Sequence, residues 1–224
     1  MPYNNYLQTA QTIFDGFPNE QVWSQGGFQP NRQLQKPEAG YCVVIRYDET
    51  ISGAIAQFMA KVHAVLPQLV TYNKQTLHTT IGTYGKNNMN AFAPNPAVLH
   101  LLAESVAKGI SGYPRNIGIE FGKWLYNEEV ILVPAYPNEE LWHLCRSIGN
   151  AFQENGLPLQ MGRIMHITTA RFTGNVSFEI FEEFRLFLKS APVLGGIKPR
   201  AIDLATWSCD GLAFNLIPHK RFDL

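Results

Sequence analysis

The sequence predicts an α+β domain built from one structural unit that occurs twice in the chain. Segments with the features of strands and helices follow one another in the same order in both halves. The tripeptides HTT at 78–80 and HIT at 166–168 occupy matching places, with their histidines 88 residues apart. The same offset maps the apolar run at 42–45 onto the run at 130–133. A shared offset between motifs and strands indicates an internal duplication.

The first unit begins at Gly40 with a β-rich run, YCVVIRY, which is followed by apolar residues at helical spacing. A second β-rich run, LHTTIGTY, comes after Pro67. Asn95 and Pro96 are typical of an N-cap and a first helical position. The predicted elements of this half are a strand at 41–47, a helix at 55–66, a strand at 77–84, a helix at 96–109 and a strand at about 116–126.

The second unit repeats this order from Val130 onward. Asn138 and the two glutamates after it predict a helix start, because acidic side chains favour the first turn of a helix. Gly156 and Pro158 end that helix, and Ser177 is expected to cap the next one. The predicted elements are a strand at 130–133, a helix from 138 to about 154, a strand at 163–172, a helix after 177, and two strands at about 200–208 and 212–219.

Residues 1–39 are rich in Asn, Gln, Pro and Gly, and they carry six aromatic residues. A disordered tail would contain fewer aromatic side chains, so we expect an N-terminal arm that packs on the domain through them. The domain itself is expected to span 40–224. Its two repeats are expected at about 40–127 and 128–219.

Composition excludes several classes of protein. Eighteen basic and eighteen acidic residues give a formal charge of zero, which argues against binding of extended duplex nucleic acid by charge neutralisation.

Three separated cysteines in apolar segments suggest core residues in a reducing compartment. No secretory leader or membrane-spanning apolar run is visible, so the cytoplasm is the expected location. A monomer is favoured, although the sequence leaves the oligomeric state open.

The paired motifs predict a catalytic cleft. Side chains two apart in a strand share a face, so His78 lies beside Thr80, and His166 beside Thr168. If the repeats pack about a pseudo-twofold axis, both pairs converge on one cleft that suits a phosphate. One neutral imidazole can act as base and one charged imidazole as acid, while the threonine hydroxyls donate to phosphate oxygens. The next residues expected on these faces, Gly82 and Ala170, are small and would leave room for a ligand.

These motifs resemble those of the 2H phosphoesterase superfamily, which has two H-x-[ST] motifs flanked by apolar residues. MHITTARF is especially similar to the second motif of bacterial 2′-5′ RNA ligase-like proteins, and the resemblance covers about 40–219. It implies a bilobal α+β fold in which two antiparallel sheets with outer helices surround a central cleft. It also implies metal-independent cleavage of 2′,3′-cyclic phosphates, 2′-5′ bonds or cyclic nucleotide linkages. The implied partners are small nucleotides, cyclic oligonucleotides or RNA ends, with no cofactor and no membrane.

Two further residues are candidates for substrate binding. Tyr84 is expected on the face of His78, where it would stack on a base or bind a phosphate. A guanidinium such as that of Arg171 binds phosphate in bidentate fashion, but strand alternation places this residue on the face opposite His166. A bulge would reverse that placement. A structural or surface role is the favoured interpretation for Arg171, and phosphate binding is the alternative.

Other chemistries have less support in the sequence. No H-x-H, H-E-x-x-H or C-x-x-C spacing suggests a metal site, and no G-x-S-x-G or phosphate-binding glycine motif is present. The alternative function is a module that binds a nucleotide or RNA end in the same cleft without turnover. Binding alone would tolerate Asn or Lys, whereas proton transfer requires imidazole, so two intact histidines favour catalysis.

Overall fold

A computed structural model describes residues 1–112 and 116–224, which form five α-helices and eleven β-strands. The helices are α1 (Tyr3–Asp15), α2 (Glu49–Val65), α3 (Pro96–Ile110), α4 (Glu139–Glu154) and α5 (Phe178–Leu188). The first six strands are β1 (Glu38–Arg46), β2 (Leu69–Thr71), β3 (His78–Asn88), β4 (Ile119–Phe121), β5 (Leu125–Tyr126) and β6 (Val130–Pro137). The others are β7 (Gln160–Met161), β8 (Met165–Phe172), β9 (Gly196–Ile197), β10 (Ala201–Cys209) and β11 (Phe214–Asp223).

The helix starts follow the predicted capping residues. The side chains of Asn95, Asn138 and Ser177 accept hydrogen bonds from backbone amides of the first turns of α3, α4 and α5. Such caps satisfy amides that have no partner inside the helix. Asp48 caps α2 in the same way, which begins the helix earlier than the apolar spacing indicated.

The prediction of one continuous strand at about 116–126 is wrong. The segment is divided into β4 and β5, which both pair with β6. Pro134 of β6 lies opposite the break, and its carbonyl accepts a hydrogen bond from the Gly122 amide. Since proline has no amide N–H, it cannot return the second hydrogen bond of an antiparallel ladder at this point.

Two antiparallel sheets meet along the centre of the molecule, as the fold class predicts. The strand order β11-β10-β1-β3 forms the first lobe, and β8-β6-β4-β9 forms the second. The sheets are joined between β3 and β8 by the single residue pair Thr79 and Ile167. The joined sheet curls into a half-barrel with helices outside it, and the predicted α+β bilobal class is confirmed.

The lobes exchange elements. β4 pairs with β6, and β10 pairs with β1, so the late strand of each half completes the sheet begun by the other half. Helices α2 and α5 pack in the core of the second lobe, whereas α3 and α4 pack in the core of the first. The boundary proposed for the repeats, near residue 127, lies between β5 and β6.

The N-terminal 39 residues pack against β8 of the second lobe. The sequence did not predict helix α1. Its buried face consists of Tyr6, Ala10 and Phe14, which have the four-residue spacing of one helical face. The Tyr6 hydroxyl accepts a hydrogen bond from the Met165 amide at 3.1 Å. Further along, Phe28 stacks on Phe172 with ring centroids 3.8 Å apart. Both contacts hold β8, the strand that bears His166.

Matched β-bulges interrupt β3 and β8. Pairing with β1 skips Ile81, and pairing of β8 with β6 skips Thr169, which lies 88 residues later. At a bulge two residues oppose one on the partner strand, so the alternation of faces shifts by one residue beyond it. The side chains after each bulge therefore lie on the opposite face from the one that strict alternation predicts.

The three cysteines are buried and form no disulfide, as predicted. None of the helices in the described ranges combines the length and apolar character that a bilayer crossing requires.

Candidate active site

The two H-x-T motifs meet at one cavity of about 150 Å³ between the lobes. His78 and Thr80 enter it from β3, and His166 and Thr168 enter it from β8. The buried Thr79 hydroxyl donates a hydrogen bond to the His166 carbonyl at 3.1 Å, which fixes one motif against the other. The structure thus brings together the four residues that the motifs suggested.

Arg171 also lines this cavity. Because the bulge at Thr169 reverses the face, the placement opposite His166 is wrong, and the bulge considered as an alternative is present. Thr83, which is 88 residues before Arg171, lies in the cavity for the same reason.

Tyr84 is not among the residues that line the cavity, and its expected place beside His78 is wrong. The bulge at Ile81 turns its ring into the core of the first lobe, where it packs 6.3 Å from the Tyr41 ring. Gly82 does not leave space for a ligand either. A Cβ atom there would lie 2.6 Å from the Leu159 side chain, so the missing side chain allows close packing of that loop. Ala170 is likewise part of the buried core, in the second lobe.

One nitrogen of His78 has a fixed role. Its Nδ1 lies 2.6 Å from the Thr76 carbonyl, and since a carbonyl only accepts, Nδ1 carries the proton. Nε2 is left without a proton in the neutral ring and can accept one. The carbonyl is held by a turn in which Asn73 accepts hydrogen bonds from the Gln75 and Thr76 amides.

His166 is less constrained. Its Nδ1 is buried and forms no hydrogen bond with any of the residues that the structure describes. The Ile164 carbonyl lies close enough to favour the charged ring, although it does not complete a hydrogen bond. The tautomer of His166 is therefore free to follow the ligand.

Both imidazoles are neutral at neutral pH, since both pKa values are lowered. Burial lowers the pKa of His78 from 6.5 to about 4; the Thr76 carbonyl opposes this, while Arg171 and Arg46 contribute to it. Burial lowers the pKa of His166 to about 4 as well, with further lowering by Arg171 and His78. An anion in the cavity would offset the Arg171 charge and favour protonation of one ring.

The Arg171 guanidinium is oriented by two neutral groups. Its Nε donates to the Tyr72 hydroxyl at 2.9 Å, and its Nη1 donates to the Asn31 side-chain oxygen at 3.1 Å. No carboxylate among the described residues lies within ion-pair distance of it. The positive charge therefore stays available to an anionic ligand.

Sequence reasoning missed the aromatic wall of the cavity. Phe214 stacks on the His78 ring at 5.5 Å, on Tyr72 at 4.8 Å and on Trp207 at 6.2 Å between ring centroids. Gln33, Tyr72, Trp207 and Phe214 all line the cavity but come from four separate segments. No local motif marks them, so only the pairing of β1 with β10 and of β10 with β11 could have indicated the two C-terminal members.

Cysteine and metal chemistry find little support at this site. Cys42 lines the cavity, but burial raises the pKa of its thiol, which keeps it protonated and a poor nucleophile. Across residues 1–112 and 116–224, no three His, Cys, Asp or Glu side chains are grouped so that they could hold a metal ion.

Comparison with solved structures identifies the same fold elsewhere. The protein TT0787 of Thermus thermophilus is 13% identical with a TM-score of 0.58, covering 83% of this chain and 97% of its own. A structure described as a phosphoesterase is 17% identical with a TM-score of 0.55, covering 84% and 99%. Escherichia coli LigT complexed with 3′-AMP is 17% identical with a TM-score of 0.52, covering 84% and 98%.

No family model and no curated protein matches the sequence. The likeness to a phosphoesterase and to LigT is therefore one of fold, and at this level the resemblance drawn from the two motifs is confirmed.

Proposed function

We propose that this chain is a metal-independent phosphodiesterase of the two-histidine type, which cleaves 2′,3′-cyclic phosphate, 2′-5′ or cyclic nucleotide linkages. The observation that carries the proposal is the convergence of both H-x-T motifs on one cavity that Arg171 also lines. About 150 Å³ suits a phosphate group and is below the roughly 300 Å³ of pockets that enclose whole drug-sized ligands. The rest of a nucleotide must then lie outside the cavity.

For a 2′,3′-cyclic phosphate, the neutral histidine accepts a proton from water, and the water oxygen forms a bond to phosphorus. The bond between phosphorus and one ribose oxygen breaks, and the charged histidine donates a proton to that oxygen. The pair ends with its protons exchanged, so the net reaction consumes only water. Pseudo-symmetry leaves open which histidine takes which role, although the Nε2 of His78 is the nitrogen able to act.

Substrate binding promotes protonation of one of the two histidines. With both pKa values near 4, few molecules hold the productive single proton at neutral pH. A bound phosphodiester brings a negative charge beside the rings and raises the pKa of the acid. Substrate binding and activation of the acid are thereby coupled.

The phosphate is bound by Arg171, Thr80 and Thr168, which take no part in proton transfer. The guanidinium neutralises its charge, and the two hydroxyls donate to the nonbridging oxygens, where charge grows as the attacking bond forms. Donors held in place by the strands need no reorganisation during the reaction.

The comparisons support a nucleotide as ligand. LigT structures are described as complexes with phosphate, 3′-AMP, ATP and NADP⁺, all of which contain phosphate. We extend this to small nucleotides, cyclic oligonucleotides or RNA ends as substrates of the present chain. Three reduced, buried cysteines fit a cytoplasmic location.

The test is incubation of purified protein with a 2′,3′-cyclic nucleotide, a 2′-5′ dinucleotide and a panel of cyclic oligonucleotides, with and without EDTA. We expect turnover of at least one substrate and no loss on chelation. Activity that EDTA abolishes and Zn²⁺ or Mn²⁺ restores would contradict metal independence. Tight binding without turnover of any member would favour the alternative, a nucleotide or RNA-end binding module.

A further inference from the structure

A second, larger groove continues from the candidate active site. It has a volume of about 700 Å³ and shares Gln33, Thr80, Thr83 and Trp207 with the catalytic cavity. Thr80 belongs to the first motif, so the groove begins at the position proposed for the reacting phosphate. A chain attached to that phosphate can pass from the cavity directly into the groove.

The groove concentrates positive charge, although the formal net charge of the protein is zero. Arg32, Lys36, Lys86 and Arg163 line it together with one carboxylate, Glu38, whereas the whole chain has equal numbers of acidic and basic residues. Such a local excess attracts anions even when the net charge is zero.

Two of these cations are partly neutralised and two are not. Lys86 pairs with Glu38 at 2.6 Å, and Arg32 pairs with Glu129 at 2.9 Å. Lys36 and Arg163 are exposed, and no carboxylate of the described residues lies within ion-pair distance of either. They are the groups best placed to bind a phosphate.

We propose that this groove binds the phosphodiester backbone beyond the reacting phosphate, so that the protein selects oligonucleotide ends over mononucleotides. The inference rests on the proposed function and adds a substrate length to it. Arg32 and Lys36 belong to residues 1–39, outside the region that the motif resemblance covers. The N-terminal segment thus contributes to the lining of the substrate groove, together with Arg163 from the segment before β8.

The first experiment uses mono-, di- and trinucleotides of one sequence that all end in a 2′,3′-cyclic phosphate. We expect kcat/KM to rise with each added phosphate and the gain to weaken with salt, since each backbone contact releases counterions. Equal kcat/KM for all three lengths would overturn the groove while leaving the proposed function intact.

A binding measurement keeps the groove testable if no substrate is turned over. Dissociation constants are measured for the same lengths ending in a 3′-phosphate. Affinity that rises with length in an inactive protein would refute the proposed hydrolysis but support the groove. Affinity that is independent of length would overturn the groove whether or not the protein is active.

Single substitutions test which side chains produce the preference for longer substrates. In Lys36→Ala and Arg163→Ala the preference for trinucleotide over mononucleotide should fall about 2- to 5-fold each, the effect of losing one exposed ionic contact. The double variant should lose about 10-fold, and its salt dependence should be shallower by about 0.7 per lost contact. Lys61→Ala is the matched control, an exposed lysine that lines neither cavity and has no carboxylate among the described residues at ion-pair distance. An equal loss of preference in Lys61→Ala would refute the assignment of backbone binding to Lys36 and Arg163.

Discussion

Arg171 donates its Nη1 hydrogen bond to Asn31 at 3.1 Å, across 140 residues of sequence. Asn31 is almost fully buried, and its Oδ1 also accepts from the Gln33 amide, while its Nδ2 donates to Glu129. Asn31, which lies outside both repeats, thus shares with Tyr72 the orientation of the Arg171 guanidinium.

Asn31→Ala should lower kcat/KM for a phosphodiester about 10-fold, because a hydrogen bond to a charged group contributes about 1.5 kcal/mol or more. The loss should vanish in an Arg171→Ala background, since Asn31 acts through that guanidinium. Gln35→Ala, an exposed change in the same segment, is the control. Additive losses in the double variant would assign Asn31 a merely structural role.

Replacement of either histidine should remove proton transfer. His78→Ala and His166→Ala are each expected to lower kcat about 10² to 10⁴-fold, with little change in fold by circular dichroism. His100→Ala, on the exposed surface of α3, should retain full activity. Full activity in either cavity variant would rule out paired acid–base catalysis.

The threonines should have smaller effects. Thr80→Val and Thr168→Val keep the shape but lose the hydroxyl, and we expect kcat to fall about 10-fold to 10³-fold. Thr80→Ser and Thr168→Ser retain the donor and should be mild. Wild-type kinetics in a Val variant would remove that threonine from the site.

The pH dependence follows from the lowered pKa values of both histidines. Only the singly protonated pair is productive, so kcat/KM should trace a bell with its maximum at acidic pH and fall about 10-fold per pH unit above it. The kcat profile should lie at higher pH, because bound phosphate raises the pKa of the acid. Arg171→Ala removes a charge that lowers both pKa values and should move the kcat/KM profile to higher pH. A profile that is flat from about pH 4 to 9 would count against the mechanism.

The free energy of unfolding should also depend on pH because both histidines have lowered pKa values. The unfolded chain binds protons at pKa 6.5, whereas the folded histidines stay neutral down to about pH 4. The unfolded state therefore binds more protons between these values, and the free energy of unfolding should decrease as pH falls from 6.5 to 4. Urea unfolding at several pH values measures this. The double variant His78→Ala/His166→Ala should lose less stability over that range than the wild type, and an equal loss would assign the effect to other groups.

The sequence by itself determined the features that depend on local periodicity. Alternation within one strand places Thr80 beside His78 and Thr168 beside His166, and it holds because both pairs precede the bulges. Capping residues such as Asn138 marked helix starts for the same local reason. The repeated motifs also indicated the duplicated unit, and the family resemblance that they carry implied the bilobal fold.

Only the tertiary structure decided the remaining members of the site. Whether Arg171 or Tyr84 faces the cavity depends on a bulge, which arises from pairing with another strand and has no counterpart within three or four residues of sequence. Tyr72 and Phe214 reach the cavity, and Asn31 reaches Arg171, because distant segments are brought together by the curled sheet. Such contacts are set by packing between elements, and the residues that make them carry no local pattern.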